Sequence, residues 1–218
     1  MKRDCLEIVR GKCESCHACT LGKTRHNVVF SDGNPSTAKI VLIGEAPGET
    51  EDLTGTPFVG RAGQLLTEFL TEAGISREDD VYIINTVKCR PPENRVPTDE
   101  EKSACRKFLE AQIDIINPRA IILCGATALK SFVELDKKQT ISKVRGQWMN
   151  ITVDGKEYRA MTIFHPSYLL RNHSMEEGSP RRLMQEDLIN IKNEILPDVS
   201  HVFGVSSDNI FTKQLVNV

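Results

Sequence analysis

No apolar run in this sequence is long enough to cross a bilayer. The longest uninterrupted one, Ala120 to Cys124, falls far short of the roughly 20 residues a spanning helix needs. The first residues, MKRDCLEIVRGKCESC, carry charges where a secretory leader needs its apolar stretch, so a cytoplasmic chain without a membrane is expected. Positive charge is not in excess either. With 28 Lys and Arg against 30 Asp and Glu the formal net charge is −2, which argues against a general basic coat for nucleic acid. The pattern of a phosphate loop is missing as well: GEAPGETED, at residues 44–52, has neither the G-K-[ST] ending nor the G-x-G-x-x-G order, and nucleotide hydrolysis is disfavoured. Disorder is not indicated, because 218 residues with 39% hydrophobic and 27% charged side chains suit one globular domain with a proper core.

Cysteine, by contrast, is plentiful. Seven of them, an odd number, in a chain expected in the cytoplasm read better as metal ligands, catalytic groups or free thiols than as a disulfide framework. Cys13, Cys16 and Cys19 form two overlapping C-x-x-C spacings, and Cys89 and Cys105 lie sixteen apart. Two pairs make a four-thiolate site. By spacing alone a structural zinc and an iron–sulfur cluster are equally open, as is the choice of two among the three N-terminal cysteines. Cys5 and Cys124 suit ordinary free thiols better.

The remaining pattern alternates strands and helices. Lys39 to Gly44, Val81 to Val87 and Ala120 to Cys124 are short β-branched or apolar runs that read as buried strands. From Arg61, the residues Leu65, Leu66, Phe69, Leu70 and Ala73 recur at helical spacing before Gly74. Thr98 and Glu101 form a capping box for a helix to about Ile116, and a short helix is expected at about Ala126 to Val133. Gln147 to Val153 and Glu157 to Phe164 read as strands joined at Asp154-Gly155, and Pro180 to Leu196 as a last helix. The expected architecture is a three-layer α/β domain over residues 1–196, with a central, mainly parallel four-stranded sheet flanked by helices. Residues 197–218 read as a tail of unknown role. Sites in such folds lie at the carboxyl ends of strands, so the loops after Ile43, Val87 and Phe164 are the candidates.

GEAPGETEDLTGTPFVGRAGQLL, INTVKCRPPENR, the sixteen-residue cysteine spacing and FHPSYLLRN occur here in unbroken order. Together, over about residues 14 to 195, they resemble the family 4, iron–sulfur-containing uracil-DNA glycosylases. The resemblance implies a monomeric DNA repair enzyme that hydrolyses the N-glycosidic bond of uracil in DNA and leaves an abasic site, without lyase activity. It implies a [4Fe–4S] cluster on Cys16, Cys19, Cys89 and Cys105, moving zinc to second place and leaving Cys13 outside the pattern. It further implies a uracil pocket of Gly44, Glu45, Ala46, Phe58, Asn85 and His165.

The chemistry of each residue agrees with its implied role. A target base must be flipped out of the duplex, and Phe58 would stack on it. The Asn85 amide can donate to O4 and accept from N3–H, an arrangement that cytosine inverts. His165 would hydrogen-bond O2 of the departing uracil anion. Glu45 and Glu51 could stabilise the cation-like sugar and one could orient or deprotonate the attacking water, with Glu51 preferred. Well-known uracil glycosylases outside the family carry an aspartate at the position of Ala46, so the water's base is not fixed by the motif. Pro166 to Arg171 resembles an intercalation loop, with Leu169 or Leu170 as the wedge and Arg171, Arg181 and Arg182 near phosphates. Two other readings remain: a glycosylase of broader base range, and a protein that captures uracil-containing DNA without turning it over.

Overall fold

β-Branched and apolar runs bounded by glycine, proline and asparagine become the strands. The computed structural model describes residues 1–136 and 139–197. Its single sheet contains β1 (Ile40–Gly44), β2 (Val81–Asn85), β3 (Ala120–Cys124), β4 (Trp148–Val153) and β5 (Lys156–Ile163), in the order β2-β1-β3-β5-β4. The first four in that order are parallel, and β4 pairs antiparallel with β5. The sheet thus has five strands where four were expected. The fifth member is the expected Gln147 to Val153 strand, which joins the same sheet at its edge through a two-residue turn, in which Asp154 and Gly155 take φ of 46° and 75°. That pair of positive φ values is the hairpin geometry matched to strand twist.

Every residue of β1, β2 and β3 is buried, as befits strands covered on both faces. Alternation along β1 sends Ile40 and Leu42 into one core and Val41 and Ile43 into the other. On the first face lie α3 (Arg61–Glu72) and α8 (Pro180–Ile195), contributing among others Leu66, Phe69, Met184 and Leu188. On the second lie α1 (Lys2–Glu14), α4 (Asp99–Ile116) and α5 (Ala126–Lys130), contributing Leu6, Leu109, Ile113 and Leu129. These are the three expected layers.

Shorter helices α2 (Glu49–Thr54), α6 (Ile141–Val144) and α7 (Pro166–Leu169) sit in the connections. The Thr98–Glu101 capping box forms as predicted, with Glu101 N donating to Thr98 Oγ1 at 3.3 Å and Thr98 N to Glu101 Oε2 at 2.8 Å. Helix α1 has no counterpart in the sequence reading. It packs on α4, and Lys2 Nζ donates to Ile116 O at 2.7 Å. No helix among the described residues is long and apolar enough to cross a membrane. The tail assigned to 197–218 lies, beyond Pro197, outside the described residues. What matters for the site is that β1, β2, β3 and β5 all end at one edge of the sheet, so their following loops converge there.

Candidate active site

At that edge a cleft of about 430 Å³ is lined by Glu45, Ala46, Glu51, Phe58, Asn85 and His165, with Arg95 and Arg171 also on its walls. Gly44 lies beneath. A Cβ there would come within 2.4 Å of Asn85 Oδ1 and 2.5 Å of the Phe58 ring, so glycine is what lets these two side chains close over the end of β1. The residues of the predicted pocket, from Gly44 to His165, therefore meet in one place.

Phe58 is held in an unusual backbone conformation, with φ of 54°, rare for a bulky residue. Arg77 pins it. Its Nη1 donates to Phe58 O at 2.9 Å and to Thr67 Oγ1 at 2.8 Å, and its Nη2 to Pro57 O at 2.8 Å. Asp32 orients the guanidinium, accepting from Nε at 3.0 Å and Nη2 at 2.9 Å. Gly63 makes room on the other side, since a Cβ there would lie 2.0 Å from the Phe58 carbonyl. The Phe58 ring meets the His165 imidazole at a 38° tilt, with centroids 5.8 Å apart. Sequence reading did not mark Arg77, the arginine that precedes Glu78, Asp79 and Asp80 in the connection between α3 and β2.

Asn85 ends β2 with 2% of its surface exposed, and its Oδ1 is buried without a hydrogen-bond partner among the described residues. A buried acceptor left unsatisfied costs about 1–3 kcal/mol. Asn85 lines the cleft, so a ligand N–H bound there can satisfy the orphan atom.

His165 caps α7 and is half-buried. Its Nδ1 accepts from Ser167 N at 3.2 Å and lies 2.7 Å from Ser167 Oγ. Burial lowers its pKa below the ordinary 6.5, against the opposing pull of Glu45 and Glu51. A neutral ring whose Nδ1 accepts a backbone N–H carries its proton on Nε2, and so offers a donor.

The two glutamates differ in their surroundings. Glu51 is enclosed by amides: Oε1 accepts from Val59 N at 3.0 Å and Gly60 N at 2.8 Å, and Oε2 from Gly48 N at 3.1 Å. It clasps the start of α2 to the chain following Phe58. Glu45 accepts the Thr127 hydroxyl at Oε2, while its backbone carbonyl accepts from Thr86 Oγ1 at 2.5 Å. Among the described residues its Oε1 takes no hydrogen bond.

The segment after β5 is divided. Leu169 is fully buried in the core, Leu170 is half-buried against that core, and Tyr168 is 46% exposed. Arg171 reaches the cleft wall. Arg181 Nε donates to Leu169 O at 3.3 Å and Arg182 pairs with Glu186 at 3.0 Å, so both are engaged within the protein.

A second, smaller cavity is walled by Cys13, Cys16, Cys19, Cys89, Cys105 and Lys88. Cys5 is exposed and Cys124 buried in β3, and all seven cysteines are free thiols. Burial pushes the Cys13 thiol up to about 12 and Cys105 to about 11, and raises Cys89. Arg25 Nη1 donates to Cys89 Sγ at 3.3 Å and to Cys16 O at 2.9 Å, tying the N-terminal segment to the loop after β2. Lys88 is fully buried and its Nζ donates to Asn85 O at 2.8 Å. Among the described residues, no three His, Cys, Asp or Glu side chains are close enough to grip a single metal ion.

Known proteins resemble this chain over most of its length. The family model described as the uracil DNA glycosylase superfamily matches residues 30–189. A type-4 uracil-DNA glycosylase of Thermotoga maritima is 53% identical over 197 residues, 89% of this chain and 96% of that protein. Those of Archaeoglobus fulgidus and Saccharolobus solfataricus are 44% and 40% identical, over 78% and 88% of this chain and 85% and 87% of their own lengths.

Proposed function

The chain belongs to the type-4 uracil-DNA glycosylases of the uracil DNA glycosylase superfamily, and on that premise we propose how its residues release uracil from DNA. Hydrolysis of the N-glycosidic bond frees the base and leaves an abasic site. The carrying observation is Asn85, a cleft residue whose buried Oδ1 has no donor among the described residues. Uracil flipped into the cleft supplies that donor as N3–H and presents O4 to the Asn85 amide N–H. Cytosine offers an acceptor at N3 and a donor at C4, leaving buried groups unpaired, which is an effective way to reject it. Phe58 stacks on the base.

As the bond breaks, negative charge spreads onto the departing ring and positive charge onto the sugar. His165, neutral and donating from Nε2, stabilises charge at uracil O2. Glu45 faces the sugar and the attacking water, because its Oε1 is uncommitted. The three amides around Glu51 support giving it the shaping of the Phe58 loop instead of the water, which reverses the preference drawn from sequence. Of the two leucines, Leu170 serves as the wedge and Leu169 as its anchor, with Arg171 near a phosphate.

Cys16, Cys19, Cys89 and Cys105 would hold the [4Fe–4S] cluster, and a small cavity walled by soft sulfur donors suits it. Structural zinc is the alternative. Hydrolysis transfers no net electrons, so the centre's contribution is to fix the N-terminal segment and the loop after β2. Uracil-containing DNA is the partner, the monomer the acting unit and the reducing cytoplasm its place. The test is incubation with a labelled oligonucleotide bearing one uracil, followed by alkali. Strand cleavage at the uracil position is expected, and an alkali-stable product would rule out the glycosylase reading. Iron content and visible absorbance of the same sample separate the cluster from zinc.

A further inference from the structure

The chain leaving β3 reaches a glutamate of the cleft, a contact that no sequence motif marked. Thr127, half-buried in α5, donates its hydroxyl to Glu45 Oε2. Thr86, which follows β2, donates to the Glu45 carbonyl at 2.5 Å, and its own N–H to Gly44 O at 3.0 Å. One glutamate is thus held at its main chain from the loop after β2 and at its side chain from the loop after β3. We propose that Thr127 is a positioning residue for catalysis: by occupying Oε2 it fixes the plane of the Glu45 carboxylate and presents Oε1 to the water and the sugar.

A glutamate side chain has three rotatable torsions, and without a partner its carboxylate samples orientations of which few are productive. Thr127 is the one side chain that hydrogen-bonds the Glu45 carboxylate among the described residues. Its hydroxyl is not spent on capping its own helix, whose N-cap is Gly125. Gly125 serves the same end. It adopts φ of 95°, and a Cβ there would lie 2.9 Å from His165 Cβ, so this turn abuts both the carboxylate and the imidazole. The loop after β3 therefore sets the spacing of the two groups that the reaction needs on opposite sides of the breaking bond.

The inference rests on the role given to Glu45 above. Thr127→Val keeps the shape and removes the donor, whereas Thr127→Ser keeps the donor. Single-turnover rates on a uracil-containing oligonucleotide are compared with binding to the same oligonucleotide bearing a non-hydrolysable uracil nucleotide. Loss of one hydrogen bond to a charged group should slow the Val variant about tenfold or more, with binding changed by less than about twofold. The Ser variant should recover most of the rate. In a Glu45→Ala background, Thr127→Val should cost nothing further, since the partner is gone. A Val variant as fast as the parent, Val and Ser variants equally slow, or a cost that persists without Glu45 would each overturn the proposal. Should the Val variant not fold, Thr127→Ala takes its place in the same comparison. A parent protein that released no uracil would instead remove the functional reading beneath it.

Discussion

Arg77 grips the backbone of Phe58, donating to its carbonyl at 2.9 Å and to that of Pro57 at 2.8 Å, and so holds an aromatic residue at a φ of 54°. Strain of this kind costs on the order of 1–3 kcal/mol and persists only where the surroundings over-determine it. Arg77→Lys removes the fork that reaches both carbonyls at once. The stacking platform should loosen, and kcat/KM for uracil-containing DNA should drop roughly tenfold, in line with a hydrogen bond from a charged donor. Steady-state kinetics with a thermal melt checks this; unchanged kcat/KM would show that Phe58 keeps its place unaided.

Asn85 gives a prediction in which stability and activity part. Its Oδ1 is unsatisfied among the described residues, so Asn85→Ala removes a group that costs free energy when buried. Thermal stability should change little. The excision rate should fall by about 10² or more, because two hydrogen bonds to the base are lost, and discrimination against cytosine should weaken. A variant that is destabilised yet retains the parent's rate would remove Asn85 from the base-reading role.

Much of this site was legible in sequence because motifs keep their residues close to strand ends. KIVLIG, the Val81 run and Ala120 to Cys124 gave three parallel strands, and Glu45, Asn85 and His165 follow or end strands whose carboxyl termini share an edge. Arg77 and Thr127 were not legible, since a lone guanidinium and a lone hydroxyl acquire meaning only through the carbonyls and carboxylate they meet in space. Glu51 shows the reverse: a carboxylate in a catalytic-looking cluster whose oxygens face three backbone amides. Leu169 likewise fits a wedge by position in the chain, yet it faces the core. Helix α1 escaped notice because it buries only Leu6 and Cys13 and is otherwise polar, too sparse an apolar stripe to stand out.

Glu101 sets an acid dependence of stability. Its buried carboxylate accepts from Arg95 at 2.7 and 2.8 Å, from Thr98 N at 2.8 Å and from Thr20 Oγ1 at 3.0 Å. The Arg95 guanidinium, helped by the Thr98 amide and the Thr20 hydroxyl, holds its pKa at about 2, below the ordinary 4.5. A depressed carboxylate stabilises the fold above its unfolded pKa and loses that contribution as pH falls through the folded value. The stability difference between parent and Glu101→Gln should therefore be full above pH 4.5 and shrink towards pH 2. Chemical denaturation across that range measures it, and a difference that does not vary with pH would contradict the link.

His165 should remain neutral where an ordinary histidine is half protonated. Burial is the dominant cause, and its folded pKa lies below 6.5. Protonation is thus disfavoured in the folded state, and native stability declines as pH falls below 6.5, where the unfolded chain binds the proton more readily. Titration of the imidazole by NMR in the free protein should give a midpoint below 6.5. A midpoint above that value would mean that the neighbouring glutamates outweigh burial, and the ring would act as a cation.

The central claim is that the orphan acceptor at Asn85 reads uracil for excision. It is tested most directly by chromatography of free base released from two oligonucleotides that differ only in carrying uracil or cytosine at one position, with parent and Asn85→Ala proteins side by side. The account predicts free uracil from the parent, no free cytosine, and a strongly slowed release of uracil by the variant. Equal release of uracil by both proteins, or no base released by the parent, would contradict it.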